Sequence, residues 1–115
     1  MNIPVIPIVI KQYDCNGHIE TLELPYALVD TGAERSFINK DVIPENMTVT
    51  PLEIPETISN AFDNLIGEIS GSLRGNLFIE NSNIEIPRVE FRITEVPMKY
   101  NVIIGMDILY KFKID

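Results

Sequence analysis

Apolar positions along this chain come in short runs broken by proline, glycine and asparagine, a spacing that predicts strands throughout and a helix only at the end. Ile3 to Lys11 is apolar but carries Pro4 and Pro7; because proline cannot donate to a ladder, the run is expected as an edge strand. Asn16-Gly17 predicts a tight hairpin, joining the segment around Gln12 to Cys15 with a strand whose Leu22 and Leu24 share one face and whose Ile19, Thr21 and Glu23 share the other. Pro25 is expected to reset the chain into a new strand, Tyr26-Ala27-Leu28-Val29, with Leu28 and Val29 buried. Asn39 to Ile43 leaves room for one helical turn before Pro44, since the residue preceding a proline is pushed out of helix. From Val49 the pattern is strand again. Ile54 to Asn60 and Leu65 to Ile79 read as two arms of a hairpin turning at Ala61-Phe62-Asp63-Asn64, and Ile84 to Ile86, Val89 to Thr94 and Asn101 to Ile104 follow as strands. Only Met106 to Lys113 has helical spacing, with Ile108, Leu109 and Phe112 on one side and Asp107 in the first turn, where a carboxylate favours the helix dipole.

Composition narrows the function classes. A chain of 115 residues with 45% apolar side chains is expected to form one domain, 1–115, around a modest core. Nine basic against 17 acidic residues give a net charge of −8, and without a basic cluster a nucleic-acid partner is not expected. The apolar runs are too short for a membrane span and the N-terminus lacks signal-peptide flanks, so no membrane partner is expected and the default location is cytoplasmic or inside a virus-like particle. Cys15 and His18 are each the only residue of their kind. No cysteine-built metal site or intrachain disulfide is possible, and no metal or cofactor is implied. Cys15 is expected half-buried in a strand and His18 on the surface beside a turn.

The most informative residues are Asp30-Thr31-Gly32-Ala33, between the apolar run ending at Val29 and the mixed stretch Glu34-Arg35-Ser36-Phe37-Ile38. A strand that ends at an Asp, a small hydroxyl residue and a glycine presents the carboxylate at a tight turn, where the missing Cβ lets a substrate or another backbone come close. This tetrapeptide resembles the signature of aspartic proteases. Tyr100-Asn101-Val102-Ile103-Ile104-Gly105-Met106-Asp107-Ile108-Leu109 resembles the second hallmark of the retropepsin branch: two aliphatic residues, a Gly, two variable residues and a Leu. The likeness is close over residues 24 to 41 and 96 to 112, and elsewhere extends to the pattern of strands.

The resemblance implies an all-β, retropepsin-like acid-protease barrel with one short C-terminal helix, one lobe per chain and activity as a dimer. It implies an aspartic endopeptidase acting on extended polypeptides, such as retroelement or viral polyproteins, with the chain's own second copy as partner. One chain supplies one carboxylate; a two-fold axis would set Asp30 against Asp30. Two carboxylates so close share one proton and hold a water between them, aspartic proteases being themselves the known example. By the same resemblance Thr31 would hydrogen-bond across the dyad and Gly32 would offer its backbone to substrate. Ala33, Glu34 and Ile103 would line the groove, with Phe62, Asn64, Leu65 and Ile66 belonging to a flap that folds over the peptide.

Two departures from retroviral members stand out. The nearest glycines to the expected flap tip are Gly67 and Gly71, beyond the turn, and Met106 occupies the position where an Arg usually pairs with an acid just after the signature. Glu34 then lacks that partner, and Arg35 with Asp107 is expected to make a pair of reversed polarity. Gly-Met-Asp with a following Leu is nearer to retrotransposon proteases and to retropepsin-like domains of cellular proteins; viral, mobile-element and host origins stay open. So does a rival reading, a catalytically weak retropepsin-like dimerisation or peptide-binding module.

Overall fold

The computed structural model describes residues 4–60, 65–95 and 99–112; the side chains of 58–60, 65, 66 and 70 are outside that description. Among the described residues the chain forms β1 (Val5–Tyr13), β2 (Ile19–Val29), β3 (Phe37–Asn39), β4 (Val49–Asn60), β5 (Leu65–Ile79), β6 (Glu85–Thr94), β7 (Val102–Ile104) and the helical turn α1 (Met106–Leu109). Single 3-10 turns follow β3, at Lys40–Val42, and α1, at Tyr110–Phe112. The strands run in the order β1-β2-β7-β3-β6-β5-β4, and an additional β1–β5 pairing closes the first six into a barrel. This is the expected all-β, single-lobe, retropepsin-like fold.

Closure explains why β1 is not the edge strand that its prolines suggested. Ile8 to Lys11 pair with Leu24 to Thr21 of β2 on one side and with Ile79 to Asn76 of β5 on the other. Pro7 is tolerated because it sits at a register shift between Ile6 and Ile8, where a ladder N–H is not required. The proline carbonyls are used instead: Pro4 O accepts the Val29 N–H at 2.8 Å and Pro7 O that of Glu80 at 3.1 Å. Ile8 and Ile10 point into the barrel and are fully buried, against Leu73, Leu77 and Phe91. Each such side chain contributes roughly 1.5–3 kcal/mol of transfer free energy.

The same shift corrects a second expectation. Pro25 does not start a new strand: β2 runs unbroken from Ile19 to Val29, with Pro25 and Tyr26 accommodated as an outward bulge opposite Pro7. Ala27 is fully buried, whereas Leu28 and Val29 are only half-buried in the single chain. The Asn16-Gly17 hairpin forms as expected. Gly17 takes φ +84°, the Asp14 amide donates to His18 O, and Asp14 Oδ1 accepts the amides of Asn16 and His18. Cys15 is exposed in that turn instead of half-buried in a strand, while His18 lies on the surface beside Asp14 as expected.

The segments expected as two strands around residues 84–86 and 89–94 are one, β6, joined through a bulge at Pro87-Arg88 opposite Asn76. Arg88 adopts φ +54° there, and the Asn76 side-chain oxygen accepts its amide at 3.1 Å. β3, at three residues, is too short to show a period in the sequence. It is held by parallel pairing to β6 and antiparallel pairing to β7. At the C-terminal end the expected helix is one α turn continued by one 3-10 turn, with Ile108 buried and Leu109 and Phe112 packed against the core.

Candidate active site

Asp30 follows the last residue of β2, and its position is set by main chain. β7 lies between β2 and β3, pairing Ala27, Leu28 and Val29 with Val102, Ile103 and Ile104 in parallel. The register carries on one step beyond the strands, because the Asp30 amide donates to Ile104 O at 2.9 Å. The carboxylate is fixed by its own turn. Oδ1 accepts the Gly32 N–H at 2.9 Å, and the Asp30 carbonyl accepts the Ala33 N–H at 3.2 Å. An Asp with a local amide on its side chain needs no distant partner to hold its rotamer. Asp30 is half-buried, and Thr31 and Gly32 are exposed beside it.

Behind the signature the chain end is pressed close. Met106 N–H donates to Ala33 O at 2.7 Å and Asp107 N–H to Glu34 O at 3.1 Å, so the start of α1 is bonded to the loop that follows Asp30. Gly105 makes this approach possible. A methyl on its Cα would lie 2.3 Å from the Arg35 carbonyl oxygen and 2.8 Å from that of Ala33. Ser36, fully buried, completes the junction: its hydroxyl donates to Asp107 Oδ1 at 2.6 Å and accepts the Gly105 N–H at 2.8 Å, and its amide donates to Asp107 Oδ2 at 3.2 Å.

Asp107 is therefore not the partner of Arg35. Its carboxylate is taken up by Ser36, whose hydroxyl and amide sit within hydrogen-bond reach, while the ion pair that Arg35 makes is with Glu56, at 4.0 Å. Ser36 and Asp107 are 71 positions apart. Their partnership had no local signal in the sequence: packing buries Ser36 fully, whereas Asp107 stays exposed and reaches it from the start of α1.

The structure brings Asp30, Thr31, Gly32, Ala33 and Ile103 together at the β2–β7 end of the barrel. Ile103 is half-buried, opposite Leu28 on one side and Phe37 on the other. Glu34 joins them by its main chain; its side chain is exposed. Phe62 and Asn64 lie outside the described residues, and Leu65 and Ile66 are described only as the first two backbone positions of β5, paired with Asn60 and Ser59.

A charged cleft of about 440 Å³ flanks the junction, lined by Glu34, Arg35, Arg88, Glu90, Arg92, Asp107, Ile108 and Lys111. Its lining includes Arg92, among the described ion pairs the least exposed cation, with a side chain 13% accessible. Arg92 Nε bonds Glu56 Oε1 at 3.1 Å, Arg92 Nη1 contacts Glu90 Oε1, and Arg74 Nε reaches Glu90 Oε2 at 2.7 Å. Burial alone would raise the Glu90 carboxyl, but Arg74 and Arg92 outweigh it and hold it below the usual range. For Arg92, burial pulls downward and the two carboxylates overcome it, leaving the guanidinium still more firmly charged.

A closed barrel of short strands, with an Asp-Thr-Gly turn bonded to an aliphatic-aliphatic-Gly strand and a one-turn helix, defines a retropepsin-like acid-protease lobe. Consistent with this, the model of the retroviral aspartyl protease family matches residues 4–115. The chain belongs to that family, and the membership supports aspartic protease activity of the retropepsin type. Comparison with curated proteins gave no match.

Proposed function

We propose that the protein is a homodimeric aspartic endopeptidase that cuts extended polypeptides, with Asp30 of each copy forming the catalytic pair. The observation that carries this reading is the fixed yet accessible Asp30, its carboxylate held by its own turn and its main chain by the hydrogen bond that its N–H donates to Ile104 O. A reacting carboxylate has to be held in one rotamer without being walled off from substrate.

The chemistry follows from the pairing. A two-fold axis through the Asp30 turns places two carboxylates side by side, and like charges that close retain one proton between them. The ionised member takes a proton from the bound water as that water attacks the scissile carbonyl. The protonated member donates a hydrogen bond to the carbonyl oxygen, where negative charge develops. Collapse of the tetrahedral intermediate passes a proton to the leaving amine and restores the shared proton. Thr31, exposed in the single chain, would bond across the axis, and Gly32 and Ala33 would offer main chain to an extended peptide. A polyprotein of a virus or mobile element, in the cytoplasm or an assembled particle, is the substrate this reading favours.

The test is cleavage of a randomised peptide library from about pH 4 to 7 at several protein concentrations, with Asp30→Asn alongside. Cleavage that rises faster than linearly with concentration, vanishes in Asp30→Asn and is blocked by a statine-type transition-state analogue supports the dimeric enzyme. A sedimenting dimer that cleaves nothing at any pH refutes it.

A further inference from the structure

The hairpin of β4 and β5 divides into two parts. Val49 to Pro51 pair with Leu73 to Gly71 against the barrel, and pairing resumes only at Glu56 opposite Ile69. The residues 52–55 between these points form a bulge, because five steps along β4 match two along β5. Beyond it, Glu56 to Asn60 pair with Ile69 to Leu65, whereas β6 begins its pairing with β5 only at Ser72. The outer arm is thus a two-stranded ribbon, a structure of marginal stability by itself, joined to the barrel through a bulge that can bend.

Glu56 stands at the foot of this ribbon, opposite the buried Ile69, and is held to the barrel by its side chain. Arg92 of β6 holds its Oε1 at 3.1 Å, and Arg35 of the signature loop reaches its Oε2 at 4.0 Å. Arg92 is itself braced by Glu90, and its amide donates to Ser36 O at 2.9 Å, inside the signature junction. Arg92 therefore fixes the ribbon's foot with its guanidinium and the signature loop with its backbone amide. We propose that Glu56 and Arg92 form a latch that sets the resting angle of the hairpin arm relative to the Asp30 loop, making both positioning residues for substrate capture. Only the kinetic consequence rests on the protease reading; the latch itself does not.

The test compares wild type with Glu56→Gln, which keeps shape while removing the charge, and with Arg92→Lys, which keeps a charge but loses the planar fork that spans two carboxylates. Amide hydrogen exchange is followed over Glu56–Asn60 and Leu65–Ile69 and, for reference, over β1 and β6. In both variants, exchange in the ribbon is expected to rise by about fivefold with β1 and β6 unchanged. KM for a cleaved peptide is expected to rise by about three- to tenfold with kcat within about twofold. Unchanged ribbon exchange, or a rise shared equally by β1 and β6, overturns the latch. Wild type that cleaves no peptide overturns the protease reading, and the exchange pattern then still decides the latch.

Discussion

The signature junction and the outer hairpin arm are both assembled from distant parts of the chain, yet they are held by opposite means. At the junction, main-chain bonds from Met106 and Asp107 to Ala33 and Glu34, with buried Ser36 between Gly105 and Asp107, leave little slack. The arm is a ribbon beyond a bulge, gripped at its foot by an ion pair whose acid is 37% exposed. Buried main-chain contacts are stiff because any displacement strands a polar group. Partly solvated charges can part and re-form at small cost. A carboxylate that must be aimed and an arm that must admit a chain call for these two solutions.

The strongest way to break this contrast is Gly105→Ala. Its methyl would fall 2.3 Å from a main-chain oxygen that has no rotamer to change, so a loss of more than about 3 kcal/mol is expected. Urea unfolding checks it, and a loss under 1 kcal/mol would show the junction to be softer than its distances. Ser36→Ala comes next. It removes a charge-assisted bond to Asp107 and leaves the Gly105 N–H without its acceptor, so roughly 2–3 kcal/mol should go. Asp107→Asn should cost less, since the amide oxygen still accepts the Ser36 hydroxyl and only the longer bond from the Ser36 N–H is lost.

How much of the two regions was legible in sequence follows the same division. Asp30, Gly105 and the helical turn after it were readable because each is announced by its neighbours: an apolar strand, a small residue, a helical spacing. The hairpin arms were also readable, from alternation and length. What escaped were features decided by tertiary neighbours. β1 became a barrel strand despite two prolines because β5 came round to meet it; β3 was too short to have a period. Asp107 took Ser36 in place of Arg35 because a buried hydroxyl lay nearer than an exposed guanidinium. Pairing among Glu56, Glu90, Arg74 and Arg92 depends on how three strands are registered, which no local pattern encodes.

Acid should separate the regions more gently. Glu90 is held below its ordinary range by Arg74 and Arg92, so its stabilising contribution is present above the unfolded carboxyl's value of 4.5 and is lost as pH falls through the lower folded value. Wild type should therefore exceed Glu90→Gln in urea midpoint near pH 6, and the gap should narrow as pH falls below the ordinary carboxyl value of 4.5. A gap that widens in acid would mean that the carboxylate is not what the arginines hold.

The smallest effect is expected at Arg35, which takes part in both regions at once. Its carbonyl oxygen faces Gly105 across the tightest approach in the junction, while its side chain, 53% exposed, reaches Glu56 at 4.0 Å. Arg35→Gln removes only the second contact, and an exposed pair at that distance contributes less than about 0.5 kcal/mol. The urea midpoint should hardly move, and ribbon exchange should rise far less than in Arg92→Lys. If Arg35→Gln instead destabilised the protein as much as Ser36→Ala, the charge on the loop would be supporting the junction, and the division between stiff main chain and yielding ion pairs would fail at the residue where the two regions meet.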